Sequence, residues 1–189
     1  MINIIGGNKK GSKLIVPAND VRPTSAIKRE AIFSILESYA LKNAFSLYKN
    51  KCVIDLFAGS GSLGLEAISR GSSFGYFFEQ NYEVNKCLEI NCKKICTRHQ
   101  YDILQQDISS IINIKIAYPL SIIFIDPPYN LNPFENLLNL FLKINIITYE
   151  TIIVIQSAKN TSIQLIKSLT IIKEKIYGKT KITFLKKLQ

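Results

Sequence analysis

Residues 52–64 read Cys-Val-Ile-Asp-Leu-Phe-Ala-Gly-Ser-Gly-Ser-Leu-Gly, an apolar run of strand length that breaks into glycines and then opens a helix. From Cys52 onward such runs alternate with segments at helical spacing, the signature of a parallel, doubly wound sheet. Strands are predicted at 52–57, 74–79, 101–105, 121–126, 150–156, 171–177 and 180–186, with helices at 62–70, 81–97, 133–143 and 161–168. The last two strands are joined by Tyr177-Gly178-Lys179-Thr180, a turn with no room for a crossover helix. They must therefore form an antiparallel hairpin. The fold class is α/β: a Rossmann-like, seven-stranded, mostly parallel sheet with an antiparallel C-terminal hairpin, preceded by a short N-terminal hairpin and helix.

Gly59, Gly61 and Gly64 satisfy the dinucleotide fingerprint, and Glu79 follows at the end of the next strand, where a carboxylate can accept from a ribose diol. Asp55 argues against a pyrophosphate, because its charge would oppose one. It suits a ligand with ammonium and sulfonium charges, such as S-adenosylmethionine. A Walker phosphate loop is excluded, since no Lys-Ser/Thr follows Gly64. The stretch Ser121–Tyr129, SIIFIDPPY, adds chemistry that a dehydrogenase does not need. Asp126 can accept from an amino group. Pro127 and Pro128 stiffen the turn and donate nothing from their nitrogens. Tyr129 offers a ring on which a planar base can stack. Together they fit an exocyclic NH2 on a flat heterocycle.

The chain has 189 residues, 47% hydrophobic and 20% charged, a balance that suits a globular protein large enough for a substantial core. No apolar run has membrane-spanning length, and the N-terminus lacks the order of a signal peptide, so a cytoplasmic protein is expected. Cys87, Cys92 and Cys96, with His99, match no common zinc spacing, and the cysteines fall in a predicted helix, so no metal is expected. The net charge of +10 is uneven. Residues 1–30 hold six Lys or Arg against two acids, and residues 171–189 hold six Lys against one Glu. Charge concentrated at the two ends favours a polyanion-binding surface beside a neutral catalytic body. Residues 2–16 read as a hairpin around Gly6-Gly7-Asn8-Lys9-Lys10-Gly11, either a backbone that approaches phosphates or a plain hairpin loop. A helix beginning near Ala26, capped by Thr24 or Ser25, should bury Ile27, Ala31, Ile32, Ile35 and Leu36 and leave Arg22, Lys28 and Arg29 facing away.

The motifs DLFAGSGSLGLEA, FFEQN and IDPPY, preceded by RPTSAIKREAIFSIL, resemble the small bacterial 16S ribosomal RNA guanine-N(2)-methyltransferases of the D type, class I S-adenosylmethionine-dependent enzymes. The resemblance covers essentially the whole chain. It implies an N-terminal RNA-binding extension over residues 1–41 and a methyltransferase domain over 42–189. Asp55, Phe57, Gly59 and Gly61 would form the cofactor loop, Glu79 would hold the ribose, and Asp107 would accept from the adenine amine. Asp126, Pro127 and Tyr129 would handle the target guanine, while Lys9, Lys10, Lys13, Arg22 and Arg29, with Tyr129, would meet the RNA. The product would be S-adenosylhomocysteine, the partner 16S rRNA or an assembling small subunit, and the enzyme a monomer. Family members tend to carry an acid where this chain has Gln156. Alternatives are an amino-methyltransferase acting on adenine N6 or cytosine N4 of DNA or another RNA, a dinucleotide-dependent oxidoreductase, and an RNA-binding chaperone.

Overall fold

The computed structural model describes residues 2–17, 24–106, 108–128 and 131–188. Two short strands, β1 (Ile2–Asn3) and β2 (Lys13–Leu14), pair antiparallel, followed by α1 (Ala26–Lys42). The main sheet is built from β3 (Cys52–Leu56), β4 (Phe74–Phe78), β5 (Tyr101–Leu104), β6 (Leu120–Ile125), β7 (Ile152–Ala158), β8 (Leu169–Tyr177) and β9 (Thr180–Lys187). Its order is β5-β4-β3-β6-β7-β9-β8. Only β9 runs against its neighbours. The order reverses between β3 and β6, which opens a crevice at their carboxyl ends.

All five residues of β3 and all six of β6 are buried, as expected of strands covered on both faces. On one face Ile54, Leu56, Ile123, Ile125 and Ile153 pack beneath α4 (Phe134–Lys143). On the other, Val53, Phe124, Val154 and Phe184 meet Ile32, Phe33 and Leu36 of α1 and Leu63 and Ala67 of α2 (Ser62–Ser69). A third cluster joins Ile4 and Leu14 of the N-terminal hairpin to Leu65, Phe77 and Leu88 and to Cys92 of α3 (Tyr82–Ile95). The N-terminal hairpin and α1 thus contribute directly to the core. Among the described residues no helix is long and apolar enough to cross a membrane.

Three expectations change. Residues 161–166 are irregular, not the helix expected over 161–168. This crossover lays Ile163 and Ile166 onto the α4-side core without a helical stripe. Its β-branched content and the turn-forming Asn160-Thr161-Ser162 both lower helix propensity. A 3₁₀ helix, Ile108–Asn113, follows β5 where only a connection is predicted. In α1 the buried face is Arg29, Ile32, Phe33, Leu36 and Ala40, so Ile27 is 70% exposed and Arg29 only 1%. The helix is rotated from the expected stripe because Phe33 packs on Phe124, ring centroids 5.8 Å apart, and turns Arg29 inward.

Candidate functional site

A cavity of about 340 Å³ lies at the carboxyl edge of β3, β4 and β6. After Leu56 the chain turns through Phe57, Gly59 and Gly61, all at positive φ, and enters α2. Asp55 sits beneath this loop, 2% exposed, its Oδ2 accepting from the Gly64 N–H at 2.9 Å. Gly64 is required by packing: a Cβ there would lie 2.4 Å from the Phe77 ring of β4. Burial raises the Asp55 pKa well above the usual carboxylate range; the Gly64 N–H opposes the shift, and the charges of Asp126 and Glu79 add to it.

Glu79, just beyond β4, braces the same loop. Its Oε2 accepts from the Gly59 N–H at 3.0 Å and its Oε1 from the Asn81 N–H at 2.8 Å. Asn81 caps α3 by accepting from the Glu83 and Val84 amides. The ribose-binding candidate therefore lies on the cavity wall with its oxygens held by backbone donors.

Asp126 closes the opposite wall. Its Oδ2 accepts from the Thr24 hydroxyl at 2.6 Å and from Gln156 Nε2 at 2.7 Å, and the same nitrogen lies 3.0 Å from Thr24 Oγ1. Burial lifts the Asp126 pKa to about 6, against the Thr24 hydrogen bond and the Lys28 charge, which lower it. Among the described residues no hydrogen bond reaches Asp126 Oδ1 or the Pro127 carbonyl; the Pro128 carbonyl accepts from Leu131 N–H.

Sequence reasoning noted Gln156 only as a departure from the family pattern and Thr24 only as a candidate helix cap, and did not join either to Asp126. Thr24 engages Asp126, while Ser25 caps α1. Gln156 is 2% exposed inside β7. A buried amide at the end of an apolar run needs a partner, and that requirement was the available signal. Val16 and Pro17 also line the cavity, brought there by the N-terminal arm.

Of the expected RNA-binding residues, Lys9, Lys10 and Lys13 do not line the cavity. Lys9, Lys10 and Lys13 are exposed, but the loop that carries Lys9 and Lys10 is docked on the far end of α2. There Asn8 N–H donates to the Ser69 carbonyl at 2.8 Å, and Lys9 N–H to Ser69 Oγ at 3.0 Å. Ser62, which lines the cavity, begins this helix and Ser69 ends it, a separation of roughly 10 Å along the axis. The close approach that Gly7 permits is to this helix end: a Cβ at its φ of +74° would lie 1.8 Å from the Ser69 carbonyl.

Arg29 is corrected outright. It is buried, donates from Nη2 to the Asn3 carbonyl at 2.9 Å and lies 3.7 Å from Glu66, itself 0% exposed. It fastens the N-terminal hairpin to α2 and has no surface to offer RNA. Arg22, Asp107 and Tyr129 lie outside the described residues. Among the described residues no cluster of His, Cys, Asp and Glu could hold a metal ion.

The family model described as conserved hypothetical protein 95 matches residues 2–186. An uncharacterized methylase of Rickettsia prowazekii is 31% identical over 98% of each chain. Ribosomal RNA small subunit methyltransferase D of Buchnera aphidicola is 34% identical, covering 93% of this chain and 87% of that protein. Among solved structures, yhhF of Escherichia coli, a candidate methyltransferase, superposes with a TM-score of 0.81 at 27% identity, covering 98% of this chain and 97% of that one. The chain belongs to the conserved hypothetical protein 95 family, the family of the ribosomal RNA small subunit methyltransferase D proteins.

Proposed function

We propose that this protein transfers a methyl group from S-adenosylmethionine to the exocyclic N2 amine of a guanine in 16S ribosomal RNA, working in the cytoplasm as a monomer. The observation that carries the reading is that Asp55, Glu79 and Asp126 line one cavity. Three acids around one space resist a pyrophosphate and are relieved by a ligand bearing ammonium and sulfonium charge. This disfavours the oxidoreductase alternative. The apolar walls, including Leu63, Phe78 and Ile108, suit the adenine and the carbon skeleton of such a ligand. In the proposed arrangement Glu79 accepts from the ribose hydroxyls and the Phe57–Gly61 loop holds the methionine end.

When bound, S-adenosylmethionine supplies an electrophilic methyl group. The guanine amine is a weak nucleophile because its lone pair is delocalised into the ring. Asp126 Oδ1 and the Pro127 carbonyl are two acceptors for its two N–H groups, and accepting both directs the lone pair away from the ring. Thr24 and Gln156 hold the other carboxylate oxygen, so the acceptor is fixed before the base arrives. Gln156 serves here better than a second acid would, because an amide donates to Asp126 whereas a carboxylate would raise its pKa further. As the methyl group is transferred the amine becomes acidic, and its proton leaves to Asp126 or to water. The target must be unstacked to enter the cavity, from a loop or by flipping.

The test is transfer of labelled methyl groups to 16S rRNA, as naked RNA and as assembled subunits, with mass-spectrometric location of the modified base. Asp126→Ala should keep affinity for S-adenosylmethionine while turnover falls by orders of magnitude. Turnover within about tenfold of wild type, roughly 1.4 kcal/mol, would overturn the role given to Asp126. Label on an adenine or cytosine would overturn the guanine assignment.

A further inference from the structure

The C-terminal hairpin sorts its charges by means of a β-bulge. Ile171 pairs with Leu185, yet the next pair is Lys173 with Phe184, so Ile172 is an extra residue. Leu185 faces the α4 side and Phe184 the α1 side. Uninterrupted alternation from Ile171 would turn Glu174 towards α1 and send Lys173 and Lys175 to the opposite face. The bulge reverses this. Lys173 and Lys175 now oppose Phe184 and Ile182 on the α1 side. Glu174 faces away, where it accepts from Thr183 Oγ1 at 2.7 Å and lies 4.0 Å from Lys181.

Lys173 borders a groove of about 470 Å³ between α1 and β8, lined by Ile35, Ser38, Tyr39, Lys42 and Ile172 among others and, among the described residues, by no carboxylate; Lys175 stands two residues further along the same face of β8. Lys186 stands 5.9 Å above the Tyr39 ring. Of the acids on α1, Glu30 lies about 200° around the helix from Lys28, and Glu37 is taken by Arg70 and Tyr48. At the upper end, Lys28 Nζ donates to Thr180 Oγ1 at 2.7 Å, and the exposed Lys159 and Lys179 are joined by a backbone hydrogen bond of 2.8 Å. The path leads towards the cavity, where the Lys28 charge acts on Asp126. From Lys42 to Lys28 is about 21 Å along α1, and from Thr180 on β9 across β7 to Asp126 beyond β6 is about 12 Å.

Resting on the RNA reading above, we infer that this groove holds the ribose–phosphate backbone flanking the target base. Lys42, Lys173 and Lys175 face its phosphates, while Lys28, Lys159 and Lys179 lead the strand over the sheet edge to Asp126. The contacts are sequence-independent; they set affinity and orientation.

The test is the affinity of wild type and of a Lys42→Gln/Lys173→Gln/Lys175→Gln variant for a 16S rRNA fragment across a salt series. Each lost phosphate contact should flatten the slope of log K against log salt by about 0.7–0.9, so the triple variant should lose roughly 2–3. A Lys9→Gln/Lys10→Gln variant should keep the wild-type slope, and calorimetry should give all three proteins the same affinity for S-adenosylmethionine. A triple variant parallel to a wild type that methylates this RNA overturns the groove alone. So does a slope lost in the Lys9/Lys10 variant instead. A wild type that binds S-adenosylmethionine but neither binds nor methylates 16S rRNA, naked or in assembled subunits, overturns the substrate reading itself. Loss of methylation confined to protein-containing subunits, with the slope for naked RNA unchanged, assigns the groove to a protein partner and also overturns the inference.

Discussion

Replacing Asp126 by asparagine separates the cost of burying this carboxylate from its use. Asparagine has nearly the same shape, and with its oxygen in the Oδ2 position it can still accept from Thr24 and Gln156. The carboxyl pKa rises from 3.8 to about 6 on folding, mainly through burial. At about 1.4 kcal/mol per unit this is a ceiling of roughly 3 kcal/mol. The group borders an open cavity whose water softens the penalty, so a range of about 1.5–3 kcal/mol is expected. The folded pKa lies above the unfolded one, so between about pH 4 and 6 the native state keeps a proton that the unfolded chain has lost. Wild-type stability therefore falls as pH rises through that window and levels off above it. Asp126→Asn lacks this loss. The two proteins should melt together near about pH 4, and the variant should melt roughly 3–12 °C higher near about pH 8. Turnover should collapse, because an amide N–H would face the donor amine. Equal melting temperatures at the higher pH would refute the claim that burial strains this carboxylate.

For the same reason, wild-type kcat/KM should rise with pH through about 6 as Asp126 ionises, and a profile flat across that range would separate Asp126 from catalysis. Arg29→Ala should destabilise the fold by about 2–4 kcal/mol, below the largest losses for a broken buried pair because Glu66 keeps Arg70 and the Ile5 amide. An Arg29 variant with unchanged melting but weakened RNA binding would restore the surface role expected from sequence. Glu79→Gln should weaken S-adenosylmethionine binding by about 1–3 kcal/mol in calorimetry, the scale of a charge-assisted hydrogen bond. Unchanged affinity would remove Glu79 from the site. Gly64→Ala should cost about 1–3 kcal/mol by driving a methyl group into the Phe77 ring, visible as a lowered denaturation midpoint.

The sheet and the acids of the site were legible because each carries a local signature. Buried strands are continuous apolar runs, and Asp55, Glu79 and Asp126 stand where such runs end. Arg29 was misread because its placement depends on a pairing 37 positions away with Glu66, and helical periodicity assigns a cation outward by default. Where the loop of Lys9 and Lys10 docks was not legible, because a glycine-rich basic loop looks alike whether its backbone approaches a phosphate or a helix end; only the contact with Ser69 distinguishes them. The bulge at Ile172 was invisible for a similar reason. It depends on pairing with β9, and a single extra residue moves Glu174 and two lysines to opposite faces.

The strand that follows all the others in the chain, β9, is inserted between β7 and β8. Before β9 is made, β7 presents a bare apolar edge, and Ile182 and Phe184 are missing from the surface on which α1 rests. Thr24, which must reach Asp126, lies next to that unsupported helix. During synthesis the chain therefore carries a complete glycine-rich loop long before it has a rigid Asp126. An exposed strand edge at that stage invites pairing with other chains. Activity should switch on only when β9 zips into place, and shortening the chain within 180–187 should yield aggregation rather than a weakened enzyme.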